Sequence, residues 1–588
     1  MKKLSIPYQI MVIISVTLAV YYPTLFADIS LVDDYDAITY FLSEETFSLK
    51  DIFFPHSAGG GYYRPLIMLS YILDKQLWFL HERLMHFESV VAHLINGVLV
   101  FYVCREAVNL HLKKRETYLP LVAALLFGLH PIVTESVNWI SGRTDIMMGT
   151  FVLVSVLCLL RYAVQRSILL LVLAIISGLT ACLAKEAAFG YLIGLPLLAV
   201  YRIDAASLEE SNIFDLNALR LFGAYFFCAF MLALFIGSYW LVIGVALLYL
   251  GHLTHIKCHT EHITLNTGKL FVWAVALLTA GAATGGLFVA IRRLAFTSDV
   301  SKIGQTIQLM CADLNYTISL FLGAVGFYVK KFFFPLPLNF FILEIDPLYD
   351  FLGISILLIF CHLILSRKLP AMLVIVGFLL LLPALPFAFG TIAWTAYAER
   401  YIYLSSAFWI IALCLWSGAW LEINPAQKNQ ITTLIVILCL TAAGITFWRN
   451  IIWQSNVTLM RDTVAQTPRI RKLRNIYIKA LIDKGETNEA LKQYRLAAEE
   501  LPSPAGDEQA AFMIAGKLST EGRNNMALLL YHDAMQRTQF KSEPLVAASI
   551  GLVRVMLAVD NISYQERERF AEMLKEYTDV LEKIKHVK

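Results

Sequence analysis

Residues 371–389 read AMLVIVGFLLLLPALPFAF, an unbroken apolar run with no charged side chain. Such a run is long enough to cross the roughly 30 Å hydrocarbon core of a bilayer as one helix. Apolar runs of this kind recur at about 6–26, 87–104, 118–132, 146–163, 167–184, 187–201, 220–252, 269–290, 312–334, 348–366, 403–421 and 430–448. The chain of 588 residues is 58% hydrophobic and 16% charged, with a mean hydropathy of +0.64, against roughly 45–50% and 25% for soluble domains. Lipid leaves the backbone no partner outside its own helix. The expected fold is therefore an all-α polytopic membrane protein of about 13 transmembrane helices over 1–448, with only the region 449–588 reading as soluble. Basic and acidic side chains number 48 and 45, a formal +3, which is no footprint for nucleic acid.

Sidedness follows from the basic residues between runs. Arg105, Lys113, Lys114 and Arg115 follow the second run, Arg161 and Arg166 the fourth, Arg367 and Lys368 the tenth. The positive-inside rule places these loops in the cytoplasm. Met1-Lys2-Lys3 and the run behind it read as a retained first helix with a cytoplasmic N-terminus. The stretch 220–252 suits one tilted helix or a hairpin broken at Gly237-Ser238; counting it once keeps the later loops consistent. The outward surface then carries the 27–86 loop, the 130–145 stretch, Lys185-Glu186, the 390–402 stretch and everything beyond Trp448. All nine cysteines (Cys104, Cys158, Cys182, Cys228, Cys258, Cys311, Cys361, Cys414 and Cys439) fall in or beside the apolar part, so neither the 27–86 loop nor the C-terminal region holds a disulfide.

The C-terminal region is repetitive. Gly485, Ala490, Tyr494 and Ala497 recur at the same offsets as Gly522, Ala527, Tyr531 and Ala534. Small residues let two antiparallel helices approach, an aromatic fills the groove, and Pro502 ends the first unit. This spacing matches a tetratricopeptide repeat, here with three extra residues in the Pro502–Gly506 turn. Such an array offers a concave surface to a peptide or protein partner; a helical-hairpin array without a ligand has the same pattern.

Charge at the membrane is costly and marks pairing, a cavity or chemistry. Here it gathers on the outward side: Asp33, Asp34 and Asp36 after the first helix; Tyr63 and Arg64 after a triple glycine; His130, Glu135, Arg143 and Asp145; Lys185 and Glu186; Glu399, Arg400 and Tyr403. Carboxylates beside fixed cations suit a reaction in which a base activates a hydroxyl while cations hold a departing phosphate. Glycosyl transfer from a lipid phosphate is such a reaction. Each element also has a bland reading: a solvated cap at Asp33-Asp34, an interfacial ion pair at Glu399-Arg400, a dipole partner at Asp145, a snorkelling Lys185.

The strings Val32-Asp33-Asp34-Tyr35-Asp36, Tyr63-Arg64-Pro65, His130-Pro131-Ile132-Val133-Thr134-Glu135 running to Gly142-Arg143-Thr144-Asp145, Ala184-Lys185-Glu186, and Ala398-Glu399-Arg400-Tyr401-Ile402-Tyr403 are together similar to one family. The chain resembles the tetratricopeptide-repeat transmembrane O-mannosyltransferases and their bacterial relatives, within the GT-C glycosyltransferase superfamily, from about residue 7 to 535. The resemblance implies a GT-C membrane domain acting at the lumenal or periplasmic face, a polyprenyl-phosphate monosaccharide as donor, and inversion at the anomeric carbon. It implies Asp33, with Asp34 beside it, as the catalytic base, and Arg143, Lys185 and Arg400 as ligands of the donor phosphate. Tyr63, Arg64, His130, Glu135, Asp145, Glu186, Glu399 and Tyr403 would line the donor and acceptor pocket. The expected partners are membrane lipid and a protein or glycan acceptor recruited by the repeats, with no cofactor or metal. The repeat region is shorter than the arrays of the animal members, and 203–300 has no counterpart. That section contains His252, His255, Cys258, His259 and His262, whose spacing suits either a zinc site or a His-rich connecting loop. Alternatives to the transferase are a lipid-linked oligosaccharide ligase and a non-catalytic scaffold. Compact repeats and the absence of cysteine outside the membrane favour a bacterial inner membrane with a periplasmic active face over the endoplasmic reticulum.

Overall fold

The computed structural model describes residues 5–43, 47–53, 63–112, 118–165, 167–195, 198, 302–366, 368–500, 507–537, 543–557 and 562–587. The runs expected at 220–252 and 269–290 and the His252–His262 cluster lie outside the described residues. The chain divides into two compact units, Met1–Ile451 and Ile452–Lys588.

The first unit is an all-α polytopic membrane domain. Among the described residues six helices are long and apolar enough to span a bilayer: Ile6–Phe26, Glu82–His111, Ile140–Gln165, Leu369–Phe389, Glu399–Ile423 and Pro425–Trp453. Two bent pairs bring the number to eight if each is one span. Within these spans lie α1 (Ile6–Tyr21), α5 (Glu82–His111), α6 (Leu119–Gly128), α8 (Arg143–Gln165), α13 (Leu369–Leu381), α14 (Tyr403–Ile423) and α15 (Lys428–Trp453), with α9 (Ile168–Ala184) packed on α8. Their buried faces form one core that includes Met85, Val100, Phe127, Val152, Leu373 and Phe408.

Three segments depart from straight spans or loops. The run at 118–132 ends its helix at Gly128 and bends by 48° into Pro131–Asn138, because Pro131 brings no N–H to continue the ladder. The run at 312–334 begins at a 110° break between α10 (Lys302–Ala312) and α11 (Leu314–Phe333); the Asp313 side chain accepts the Tyr316 N–H at 2.9 Å and starts a new helix there. The described residues of the 27–86 segment include three helices, α2 (Asp34–Ser43), α3 (Leu49–Phe53) and α4 (Pro65–Trp78). Where α11 crosses α12 (Tyr349–Ser366), Gly326 and Gly353 face each other's backbone so closely that a Cβ on either would strike a carbonyl oxygen. Small residues at such crossings are how helices pack in lipid.

The second unit is built of antiparallel helices: α16 (Asn456–Gln466), α17 (Arg471–Asp483), α18 (Thr487–Glu500), α19 (Asp507–Thr520), α20 (Asn524–Arg537), α21 (Glu543–Leu557) and α22 (Tyr564–Val587). Gly485 and Gly522 adopt φ of 81° and 77° at the α17–α18 and α19–α20 turns, where a side chain would be strained. Ala490, Tyr494, Ala497, Ala527 and Tyr531 are all buried between the paired helices.

Candidate functional site

The 130–145 string is a twice-interrupted segment that leads from α6 into the start of α8, and Asp34, Lys185 and Arg400 are tied to it. His130 caps its first turn: Nδ1 accepts the Ile132 N–H at 3.2 Å and Nε2 donates to the Phe332 carbonyl at 3.0 Å. This histidine is thereby a structural clip. Asn138, at the end of α7 (Thr134–Asn138), accepts from the Thr24 hydroxyl at 2.8 Å and donates to Asn450 at 2.7 Å. Gly142 follows, where a Cβ would lie 2.7 Å from the Ser136 carbonyl oxygen. The tightness of this turn fixes what comes next.

The two adjacent carboxylates after α1 have opposite situations. Asp34 is fully buried, and its carboxylate accepts the Ile140 N–H at 3.2 Å, the Ser141 N–H at 2.7 Å and the Ser141 hydroxyl at 2.5 Å. On the other side of Asp33, the Trp139 indole donates to the Val32 carbonyl at 3.0 Å. Both neighbours of Asp33 are thus held by the same turn, while Asp33 itself is exposed and sits at φ 62°. A non-glycine residue there costs of order 1 kcal/mol and persists where its surroundings over-determine it. Burial pushes the Asp34 carboxyl up to about 7, against the opposing pull of the Ser141 and Ile140 hydrogen bonds and of Arg143.

The charges expected on the outward side are present as specific pairs. Arg143 pairs with Asp74 at 2.5 Å and lies 4.6 Å from the centre of the Tyr71 ring, whose hydroxyl is 3.4 Å from Ser141. The Lys185 ammonium meets both Asp145 oxygens at 2.6 and 2.7 Å. Glu135 accepts the Arg400 backbone N–H at 3.0 Å and pairs with its guanidinium. Glu399 pairs with Lys331 at 2.6 Å and accepts the Asn339 N–H at 3.0 Å. Arg64 engages Glu186 through two parallel bonds of 2.9 and 2.5 Å. Lys185 and Arg400 both flank the Tyr401 ring, at 5.3 and 5.0 Å, and Arg400 also covers Trp139 at 4.7 Å.

These contacts sort the candidates into two linked groups. Asp33, Asp34 and Arg143 are joined through Ser141 and Tyr71. Lys185 and Arg400 flank Tyr401, with Glu135 paired to Arg400 and Arg64 paired to Glu186, the chain neighbour of Lys185, and Trp139 connects the two groups. Burial lowers the Lys185 ammonium against the pull of Asp145, with Arg64 and Arg400 adding to the lowering. Burial alone would raise the Glu186 carboxyl, but Arg64 outweighs it and holds the group below its ordinary value. Tyr63 donates to the Phe53 carbonyl at 2.9 Å, tying α3 to the start of α4. Tyr403 lies within the helix core, donating to His93 Nδ1 at 2.9 Å and accepting from Asn96 at 3.0 Å, so it supports α14 rather than facing a cleft. Among the described residues no group of three His, Cys, Asp or Glu is placed to hold a metal ion.

Sequence reasoning did not single out Asp74, Lys331, Trp139 or Ser141. The first two stand in short charged pairs, Asp74-Lys75 and Lys330-Lys331, within largely apolar segments, with Lys331 at the expected outward end of its run. The other two act through an indole N–H and a turn N–H, which leave no mark in a sequence.

No family model matches the chain. Among curated proteins it is similar to the Mus musculus protein O-mannosyl-transferase TMTC3, 37% identical over 95 residues, covering 16% of this chain and 10% of the relative. It is also similar to the Xenopus laevis protein O-mannosyl-transferase tmtc2, 33% over 111 residues (19% and 13%). The Drosophila melanogaster protein O-mannosyl-transferase Tmtc1 is 32% identical over 137 residues (22% and 15%). Each of these matches thus spans about a seventh or less of the relative's own length.

Proposed function

We propose that this protein is an inverting glycosyltransferase that moves one sugar, a hexose such as mannose, from a polyprenyl phosphate to a hydroxyl acceptor, with serine or threonine of a protein as the acceptor class. Support for the sugar and the protein acceptor comes from the printed names of the similar proteins. The single observation that carries the mechanism is Asp33: exposed, held in a left-handed backbone conformation, and anchored on both sides by the turn that also bears Arg143. In the reaction the acceptor oxygen attacks the anomeric carbon as the carbon–oxygen bond to phosphate breaks. The acceptor proton passes to the Asp33 carboxylate, and the bonding electron pair stays with the polyprenyl phosphate, whose growing charge the nearby cations stabilise. Asp34 serves as the anchor, and the repeat unit presents the acceptor. The active face would be periplasmic in a bacterial inner membrane, with the endoplasmic reticulum lumen as the alternative.

The test is transfer of radiolabelled mannose from a polyprenyl phosphate to membrane protein by the purified full chain. Asp33→Asn is expected to lose about 10²–10⁴-fold in rate with insertion and expression unchanged, the range of a general base. Transfer by Asp33→Asn at the wild-type rate would remove Asp33 from the chemistry.

A further inference from the structure

Five ion pairs of the membrane unit contain a cation that could meet a phosphate, and they differ in exposure. In Arg143–Asp74 the side chains are 6% and 3% exposed, in Lys185–Asp145 6% and 2%, in Lys331–Glu399 5% and 2%, and in Arg400–Glu135 8% and 3%. In Arg64–Glu186 both are 21% exposed. A cation can accept a new anion only by sharing or releasing its present one. Releasing a carboxylate inside a buried pair strands an uncompensated charge away from water. Glu186 alone of these partners can turn toward water when released.

The geometry of that pair is also the one phosphate requires. Arg64 Nε and Nη2 donate in parallel to the two Glu186 oxygens at 2.9 and 2.5 Å, and the same fork fits two oxygens of a phosphate. Arg64 stands at the N-cap of α4, directly before Pro65, and Glu186 directly follows Lys185. Lys185 lies within the electrostatic reach of both Arg64 and Arg400. An anion arriving at Arg64 therefore enters the field of three cations, of which two are already neutralised by buried partners.

We infer that Arg64 is the cation that receives the phosphate of the lipid-linked donor, and that Glu186 is its resident counter-ion, displaced when the donor binds and restored when the product leaves. The inference rests on the donor reading above. Exchange of a carboxylate for a phosphodiester leaves the local charge unchanged, since both are monoanions. Once the anomeric bond breaks, the departing monoester carries a second developing charge, which Arg64 then meets with both arms of its fork. Return of Glu186 to the fork competes with the bound product and hastens its release.

The experiment measures binding of farnesyl monophosphate, and separately of inorganic phosphate, to the purified full chain in nanodiscs, together with the donor KM and kcat. Glu186→Gln removes the competitor, and its expected effect is binding of farnesyl phosphate about 2- to 5-fold tighter, the upper span of a partly exposed charged contact, with a matching fall in donor KM and no rise in kcat. Glu186→Asp, which keeps the charge but cannot reach the fork squarely, is expected to move in the same direction by less. Arg64→Gln is expected to weaken binding about tenfold or more, Arg64→Lys by less, and the Arg64→Gln/Glu186→Gln double variant to match Arg64→Gln. Tightening seen with farnesyl phosphate but not with inorganic phosphate identifies the lipid headgroup as the ligand; equal tightening with both identifies a general anion site and overturns the assignment to the donor. Unchanged or weaker binding by Glu186→Gln overturns the exchange while wild-type transfer leaves the donor reading standing. Failure of the wild type to bind or use any polyprenyl phosphate overturns both.

Discussion

The ion pairs of the two units follow different rules. In the membrane unit, four pairs have both side chains at 8% exposure or less, and they join residues 40 to 265 positions apart. In the repeat unit, Lys492–Glu489 and Arg523–Glu521 are about one-third exposed or more and join residues three and two positions apart. An exposed pair between sequence neighbours adds little, because water screens it and both side chains lose freedom. A buried pair between distant residues costs desolvation that its own attraction barely offsets. What the buried pairs provide is placement: each fixes one helix end or turn against another. The membrane unit uses charge to position a site, and the repeat unit uses packing of small and aromatic residues to hold its helices.

The sharpest way to break that contrast is to remove one half of a buried pair. Asp74→Ala leaves the Arg143 guanidinium buried beside Tyr71 and Ser70, with the Asp34 anchor one contact away. The expected cost is about 3–5 kcal/mol of stability, read as a lowered unfolding midpoint of the full chain in detergent, with most of it recovered in Asp74→Ala/Arg143→Met. A cost under about 1 kcal/mol would mean that these pairs behave like the exposed ones.

How much of this was legible in the sequence divides along the same line. The apolar runs announce their helices because lipid admits little else, and the outward charges stand out because charge at the membrane is rare. The partners were not legible. Glu399-Arg400 and Lys185-Glu186 are neighbours of opposite sign, yet in both cases each member turns to a distant residue. Adjacent side chains diverge both on the helical turn of Glu399-Arg400 and where Lys185 leaves its helix in an extended conformation, so proximity in sequence is a poor guide to pairing there. The Asp33-Asp34 doublet was legible as two acidic residues after the first helix but not as two different environments. That difference comes from backbone geometry, with Asp33 at φ 62° and Asp34 turned onto Ser141. The bend at Asp313 was hidden because one polar residue within a long apolar pattern marks a cap as readily as a tolerated interruption.

Asp34 tests the buried half of the contrast by titration, with a smaller effect. Its carboxyl is pushed from the ordinary 3.8 up to about 7 by burial. Between about pH 4 and pH 7 the folded protein keeps a proton that the unfolded chain has released, so stability falls as pH rises across that window and levels off above it. The unfolding midpoint of the full chain is expected to drift down by a few degrees from pH 5 to pH 7. Asp34→Asn is expected to lose that drift, since an amide does not titrate. An equal slope in both proteins would assign it to other groups.

The smallest effect belongs to the exposed half. Arg523 reaches Asn488 at 2.9 Å, Glu521 at 3.4 Å and the Met526 sulfur at 3.2 Å, a contact set that on distance alone looks substantial. Its side chain is nonetheless one-third exposed, so water replaces each contact that a truncation removes. The turn it occupies is held by its backbone: the Arg523 N–H bonds to the Leu518 carbonyl at 2.9 Å, and Gly522 supplies the left-handed residue before it. Neither depends on the side chain. Arg523→Ala is therefore expected to cost within about 0.5 kcal/mol in chemical denaturation of the full chain, the usual range for surface pairs. A loss of 2 kcal/mol or more would show that the repeat unit, like the membrane unit, relies on charge for placement, and the distinction between the two would fail where the contact geometry makes it look weakest.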